Sequence, residues 1–158
     1  MVNNKVEDRL KELDITLTEA SKPLGSYVPC VQSGDLLFLS GILPFKDGKL
    51  ARTGRVGEAV SLEEAREDAR QIVINVLSVI KAQVGDLDRI SRCVKLNGYV
   101  ASSPDFIEQP KVLNAASDLL FDLFGEAGRH ARSTVGVSVL PLNSPLEIDF
   151  IFEVKTTS

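Results

Sequence analysis

Few side-chain types in this chain can carry out chemistry. There is one histidine, His130, two cysteines, Cys30 and Cys93, and no tryptophan. That inventory excludes a zinc finger, a multi-histidine metal centre and a disulfide scaffold, although it leaves a carboxylate-bound Mg²⁺ open. Any catalysis must rest on arginine, lysine, carboxylates, hydroxyls or the backbone. Two cysteines with no evident pairing agree with a reducing compartment.

These groups are carried on 158 residues, 44% hydrophobic and 25% charged, the profile of one globular domain. A domain of this length buries roughly 70% of its unfolded surface and needs no disulfide or metal to hold a core. The 22 acidic and 18 basic residues are mixed along the chain and leave a net charge of −4. Nucleic acid is therefore not expected as a partner, because neutralising phosphates calls for a concentrated basic surface. The first residues lack an apolar signal core and no stretch approaches ~18 consecutive apolar residues, so the expectation is a cytoplasmic protein with no membrane partner.

The hydrophobic pattern outlines the elements that must position the reactive groups. Val6, Leu10 and Leu13 are spaced for one face of a short helix, and residues 21–26 read as a linker. Strands over 27–31 and 36–40 flank a turn at Gln32-Ser33-Gly34-Asp35, and 45–58 is loop-rich with at most one short strand. Ser61-Leu62-Glu63-Glu64 is a capping box that opens a long amphipathic helix, with Gly85 as its stop. A strand over 90–100 follows. Ser103-Pro104-Asp105 reads as a helix start, with the main helix beginning again at Pro110 and closing at Gly125. The final strands span 132–139 and 146–152. In the first, Val135, Val137 and Val139 share one face while Arg132, Thr134, Gly136 and Ser138 share the other. The order β-β-(β)-α-β-α-β-β predicts an α/β (α+β) fold, a single mixed sheet with two main helices packed on one face. The other face, expected to show threonine, glycine and serine beside Ile151 and Leu140, suits contact with another subunit.

Five segments in order, Gly25-Ser26-Tyr27, Leu39-Ser40-Gly41-Ile42-Leu43-Pro44, Leu113-Asn114-Ala115, Ala131-Arg132-Ser133-Thr134-Val135 and Leu146-Glu147-Ile148-Asp149, resemble the Rid/YjgF family. Its members are enamine/imine deaminases, also known as L-PSP endoribonuclease-like proteins. The resemblance covers residues 25–154, so residues 1–24 read as an added helix and linker and 25–158 as the family domain. It implies a chorismate-mutase-like fold, a homotrimer with ligand clefts between subunits, and hydrolysis of imines such as 2-aminoacrylate to a 2-oxo acid and ammonia without a cofactor or metal.

The resemblance also assigns roles. Arg132 falls where the family binds the substrate carboxylate, and a guanidinium fork suits that task. Glu147 falls where the family orients or activates the attacking water. Tyr27, Ser40, Gly41, Asn114 and Thr134 fall at further substrate-binding positions of the cleft. Taken singly, Arg132 reads equally as a surface ion-pair partner, Glu147 as a solvated strand carboxylate, Ser40-Gly41 as a strand end and Asn114 as a half-exposed helix residue. Thr134 stands where many members have cysteine, which removes a thiol nucleophile there. Ser26, Ile42 and His130 also depart from common family residues and bear on the substrate more than on the chemistry. A lone histidine such as His130 is more often structural than a ligand donor.

If the last two strands formed an antiparallel hairpin turning near Asn143, Glu147 would pair near Ser138, about six residues or roughly 20 Å from Arg132. The two would then have to come from neighbouring subunits to share one small substrate. The leading expectation is a deaminase of this kind. Its rivals are a trimer that binds a small carboxylate without turnover, an endoribonuclease, which the acidic balance and single histidine disfavour, and a chaperone.

Overall fold

The computed structural model describes residues 5–156. Its elements are α1 (Lys5–Glu12), β1 (Cys30–Ser33), β2 (Leu36–Leu39), β3 (Phe45–Lys46), β4 (Lys49–Leu50), α2 (Leu62–Val84), β5 (Ile90–Ala101), α3 (Gln109–Phe124), β6 (Ala131–Val137) and β7 (Leu146–Val154). The capping box forms as its residues require: Ser61 Oγ accepts from the Glu64 N–H while the Glu64 carboxylate accepts from the Ser61 N–H. Ala69, Ile72, Val73, Val76, Leu77 and Ile80 of α2 are fully buried, as are Val112, Leu113, Ala116, Leu119 and Leu120 of α3. Both stripes pack on Leu146, Ile148, Phe150 and Phe152 of β7 and on Cys93, Leu96 and Val100 of β5. The expected single mixed sheet with two helices on one face is what forms, joined by a two-stranded β3–β4 ribbon.

Several boundaries differ from the sequence pattern. Tyr27, Val28 and Pro29 are irregular and β1 begins at Cys30. The 45–58 loop holds two very short strands rather than one, and no helix starts at Ser103-Pro104-Asp105, α3 beginning at Gln109.

The larger difference is strand order. The sheet runs β1-β2-β7-β5-β6, with β5 parallel to β6 and antiparallel to β7. The last two strands are therefore not a hairpin, because β5 lies between them. Arg132 faces Leu96, Thr134 faces Gly98 and Gly136 faces Val100, so these three look toward the helices. The valines predicted to face the core lie on the open side instead, with Val135 48% exposed. On that open face the registers align Val31, Phe38, Ile151 and Lys95 in one row and Glu147, Tyr99 and Val135 in another.

Two local devices shape the edge near the site. Phe38 faces Ile151 but Ile42 faces Ile148, so the β2 side has one extra residue, a bulge at Ser40–Gly41. The Asp88 carboxylate accepts the backbone N–H groups of Lys5 and Val6 at 2.8 and 2.9 Å, which caps α1 from a distance in sequence. Val6 and Leu10 are buried, and Leu13, Ile15, Leu17 and Ala20 continue along the core toward the sheet edge.

The loop after β4 is clamped to α2 by Arg52, whose guanidinium lies 3.3 Å from Asp68 and 3.0 Å from Glu67. Burial pushes the Asp68 carboxyl up to about 6 despite Arg52, and its Oδ2 is buried without a hydrogen-bond partner. A carboxyl raised on folding contributes stability that is present below the unfolded value of 3.8 and lost as pH rises through about 6. Thermal unfolding should therefore show Asp68→Asn gaining on the wild type by roughly 1 kcal/mol, about 3 °C, between pH 5 and 7.5. A constant difference across that range contradicts this assignment.

Candidate active site

The residues singled out from the sequence gather in two separate recesses of the single chain. Tyr27, Ser40, Gly41 and Glu147 line a cavity of about 310 Å³ at the bulged end of β2. Asn114 and Arg132 line an open groove beside α3, together with Ser117, Asp118 and His130. Thr134 lines neither. It faces Gly98, and its hydroxyl oxygen is buried without a hydrogen-bond partner.

In the first recess the bulge presents Gly41 to Glu147. A Cβ on Gly41 would lie 2.0 Å from the Glu147 Oε1, so only glycine leaves room for the carboxylate there. The Ser40 hydroxyl donates to the Val28 carbonyl at 2.6 Å and keeps its lone pairs for other donors. Glu147 itself has no ion-pair partner among the described residues. Burial raises its carboxyl above the ordinary glutamate range, and the nearby Asp149 charge adds to the effect. Asp149 is held in turn by Asn97 Nδ2 at 2.8 Å and Tyr99 Oη at 2.9 Å.

In the second recess Arg132 Nη1 donates to Asn114 Oδ1 at 2.9 Å and to Ser117 Oγ at 3.2 Å. Arg132 makes no salt bridge among the described residues, so the plain ion-pair alternative does not apply within the chain. Its Nε and Nη2 have no protein acceptor among those residues and remain available for a planar anion. His130 supports this arrangement rather than offering itself to a ligand. Its Nδ1 is 2.7 Å from the Gly128 carbonyl, which can only accept, so Nδ1 carries the proton and Nε2 accepts from Ser117 Oγ at 2.9 Å. Burial lowers the imidazole from its ordinary value and favours this neutral form, and the Arg132 charge acts in the same direction.

Ser117 carries no sequence signal except its place three residues after Asn114, on the same face of α3. Nothing in the sequence marks the hydrogen bonds of Asn97 and Tyr99 to Asp149, since they depend on the pairing of β5 with β7.

The ladder sets the distance between the recesses. Arg132 faces Leu96 and Glu147 faces Tyr99, so the two are three residues apart along β5 and lie on its opposite neighbours. That is roughly 14 Å between backbones. The hairpin-based separation of roughly 20 Å is therefore replaced, and a further obstacle is added: Arg132 faces the helices while Glu147 belongs to the open side. One small substrate does not reach both within one chain.

A mixed sheet with helices on one face, and with these residues at its bulge and edge strand, is an architecture that known proteins share. The chain matches the family described as "YjgF/chorismate mutase-like, putative endoribonuclease" over residues 7–154. It belongs to that family, the Rid/YjgF proteins. It is 43% identical over 156 residues to protein TCP17 of Trypanosoma cruzi, with 98% of each chain covered. It is 30% identical to a protein of Dermatophagoides farinae named 2-iminobutanoate/2-iminopropanoate deaminase, covering 86% of this chain and 91% of that one. A crystal structure of an Agrobacterium tumefaciens protein of unknown function superposes with a TM-score of 0.89 at 47% identity, covering 96% of this chain and 93% of that one. Among the described residues no helix is long and apolar enough to cross a membrane.

The electrostatics of Glu147 can be measured directly. By ¹³C NMR its carboxyl should titrate above an exposed glutamate, and Asp149→Asn should bring the midpoint down by removing the neighbouring negative charge. A midpoint in the ordinary range that Asp149→Asn leaves unmoved contradicts this account.

Proposed function

We propose that this protein is a cofactor-free hydrolytic deaminase of reactive enamines and imines, acting as a homotrimer with its sites between chains. The observation that carries the reading is the separation of an anion-binding arginine and a proton-holding carboxylate into two recesses of one chain. Each recess is half of a site, and a neighbouring chain that brings its Arg132 groove to the Glu147 cavity completes it. The open face offers apolar area for such contact, with Val31, Phe38 and Val135 all more than 40% exposed. The deaminase name of the mite relative supports the choice of reaction.

The chemistry follows from the groups present. An enamine such as 2-aminoacrylate takes a proton at its terminal carbon and becomes the protonated imine, an iminium ion. Arg132 holds the carboxylate through two parallel hydrogen bonds, while Asn114 and Ser117 hold the guanidinium. Glu147 accepts a proton from water as the water oxygen bonds to the imine carbon, giving a carbinolamine. The carboxyl then returns that proton to the nitrogen, the carbon–nitrogen bond breaks, and the hydroxyl loses its proton to leave the 2-oxo acid and ammonia. A carboxyl raised by burial suits both steps, because it takes and gives back a proton near neutral pH more readily than an exposed glutamate. Imines already hydrolyse in water, so positioning supplies most of the acceleration required.

The test is ammonia release from enzymatically generated imino acids. Wild-type protein should accelerate release, and Arg132→Ala should reduce the acceleration about 100-fold or more with the circular dichroism spectrum unchanged. Undiminished turnover in Arg132→Ala overturns the assignment. Binding of small 2-oxo acids without any ammonia release makes the protein a ligand-binding trimer instead.

A further inference from the structure

The cavity at Glu147 extends well past the carboxylate, and its far walls are apolar: Leu24, Ile42, Leu43, Phe45 and Val79. Two polar side chains of α2 reach it, and the donors of both are already used within the chain. Asn75 Nδ2 donates to the carbonyls of Leu43 and Phe45 at 3.2 and 2.9 Å, and its Oδ1 accepts from Gln71. Ser78 Oγ donates to the Ile74 carbonyl at 3.3 Å. The charged residues of the rim, Glu19 and Lys22, are exposed and belong to its solvent side. Against those five apolar side chains a polar group would lose its water without gaining a partner, whereas an apolar group would gain contact.

Size points the same way. A volume of about 310 Å³ is that of a pocket for a whole small ligand, far beyond the methyl or methylene of a three-carbon imine. The outer wall is the 19–24 segment, which the core contacts of Leu13, Ile15, Leu17 and Ala20 and the Asp88 cap of α1 hold in place. Residues 19–24 thus wall a compartment that the proposed general base also lines.

We propose that this compartment receives the substrate's side chain, and that the preferred substrates are 2-imino acids with bulky apolar side chains, branched aliphatic or aromatic, rather than those the size of 2-aminoacrylate. The proposal rests on the deaminase reading above and names the substrate class of that same site. Gly41 leaves room for the carboxylate at the edge of the compartment, and the exposed Leu24 supplies apolar surface for the side chain to cover.

The experiment compares kcat/KM for imino acids generated by an amino-acid oxidase from alanine, leucine and phenylalanine. The leucine- and phenylalanine-derived imines should exceed the alanine-derived one by about tenfold or more. Val79→Phe, which fills the compartment, should lower that ratio by about fivefold or more. Leu24→Ala, on a residue 65% exposed and free of folding risk, should lower it by about two- to threefold. Equal or faster turnover of the alanine-derived imine overturns the proposal, as does a ratio that neither variant changes. Failure to hydrolyse any of the three overturns the deaminase reading. In that event calorimetry with the matching 2-oxo acids decides the compartment's preference: tighter binding of 4-methyl-2-oxopentanoate and phenylpyruvate than of pyruvate upholds it, and equal binding overturns it.

Discussion

Strand β5 hydrogen-bonds to β7 on one side and to β6 on the other, and its two registers decide where every group of chemical interest points. Side chains alternate along a strand, so moving either partner by one residue would exchange the two faces. With the registers as they are, Arg132 reaches Asn114 and Ser117 of α3, while Glu147 stands on the other side at the bulge. The burial of Leu96, Val100, Leu146, Ile148 and Phe150 holds those registers in place. The core therefore does more than stabilise the chain: it keeps the guanidinium and the carboxylate apart, which is why the proposed site draws on a second chain.

The two half-sites are prepared differently. Arg132 donates to two neutral acceptors, Asn114 and Ser117, and makes no salt bridge among the described residues, while the Asp118 charge in the same groove favours its charged form. The neutral His130 accepts the Ser117 hydroxyl proton and so orients a Ser117 lone pair toward Arg132. Glu147 sits in a poorly solvated place beside a second carboxylate whose own hydrogen bonds are met by Asn97 and Tyr99. Fixing Asp149 in this way maintains the field that keeps Glu147 able to hold a proton.

Much of this was legible in the sequence where signals are local. The Ser61 capping box, the α2 and α3 stripes and the alternation of β7 each depend on residues within one element, and each appears where the pattern puts it. Strand order depends on pairings distant in sequence and was not legible. Only eight residues separate β6 from β7, which suggests a hairpin, yet β5 separates them in space. The face of β6 was misread for a related reason. Alternation identifies the more apolar side of a strand, but the valines of this edge strand lie on the open face, away from the chain's own core. Ser117 and the apolar compartment were hidden because each needs two or more elements brought together.

The central claim is that one site takes Arg132 from one chain and Glu147 from another. Arg132→Ala and Glu147→Gln chains, each inactive alone, can be unfolded together in equal amounts and refolded. Random assembly pairs an intact Arg132 with an intact Glu147 at about a quarter of the interfaces, so the mixture should regain about a quarter of wild-type ammonia release. A mixture no more active than its two parents would place both groups within a single chain's site and contradict the account.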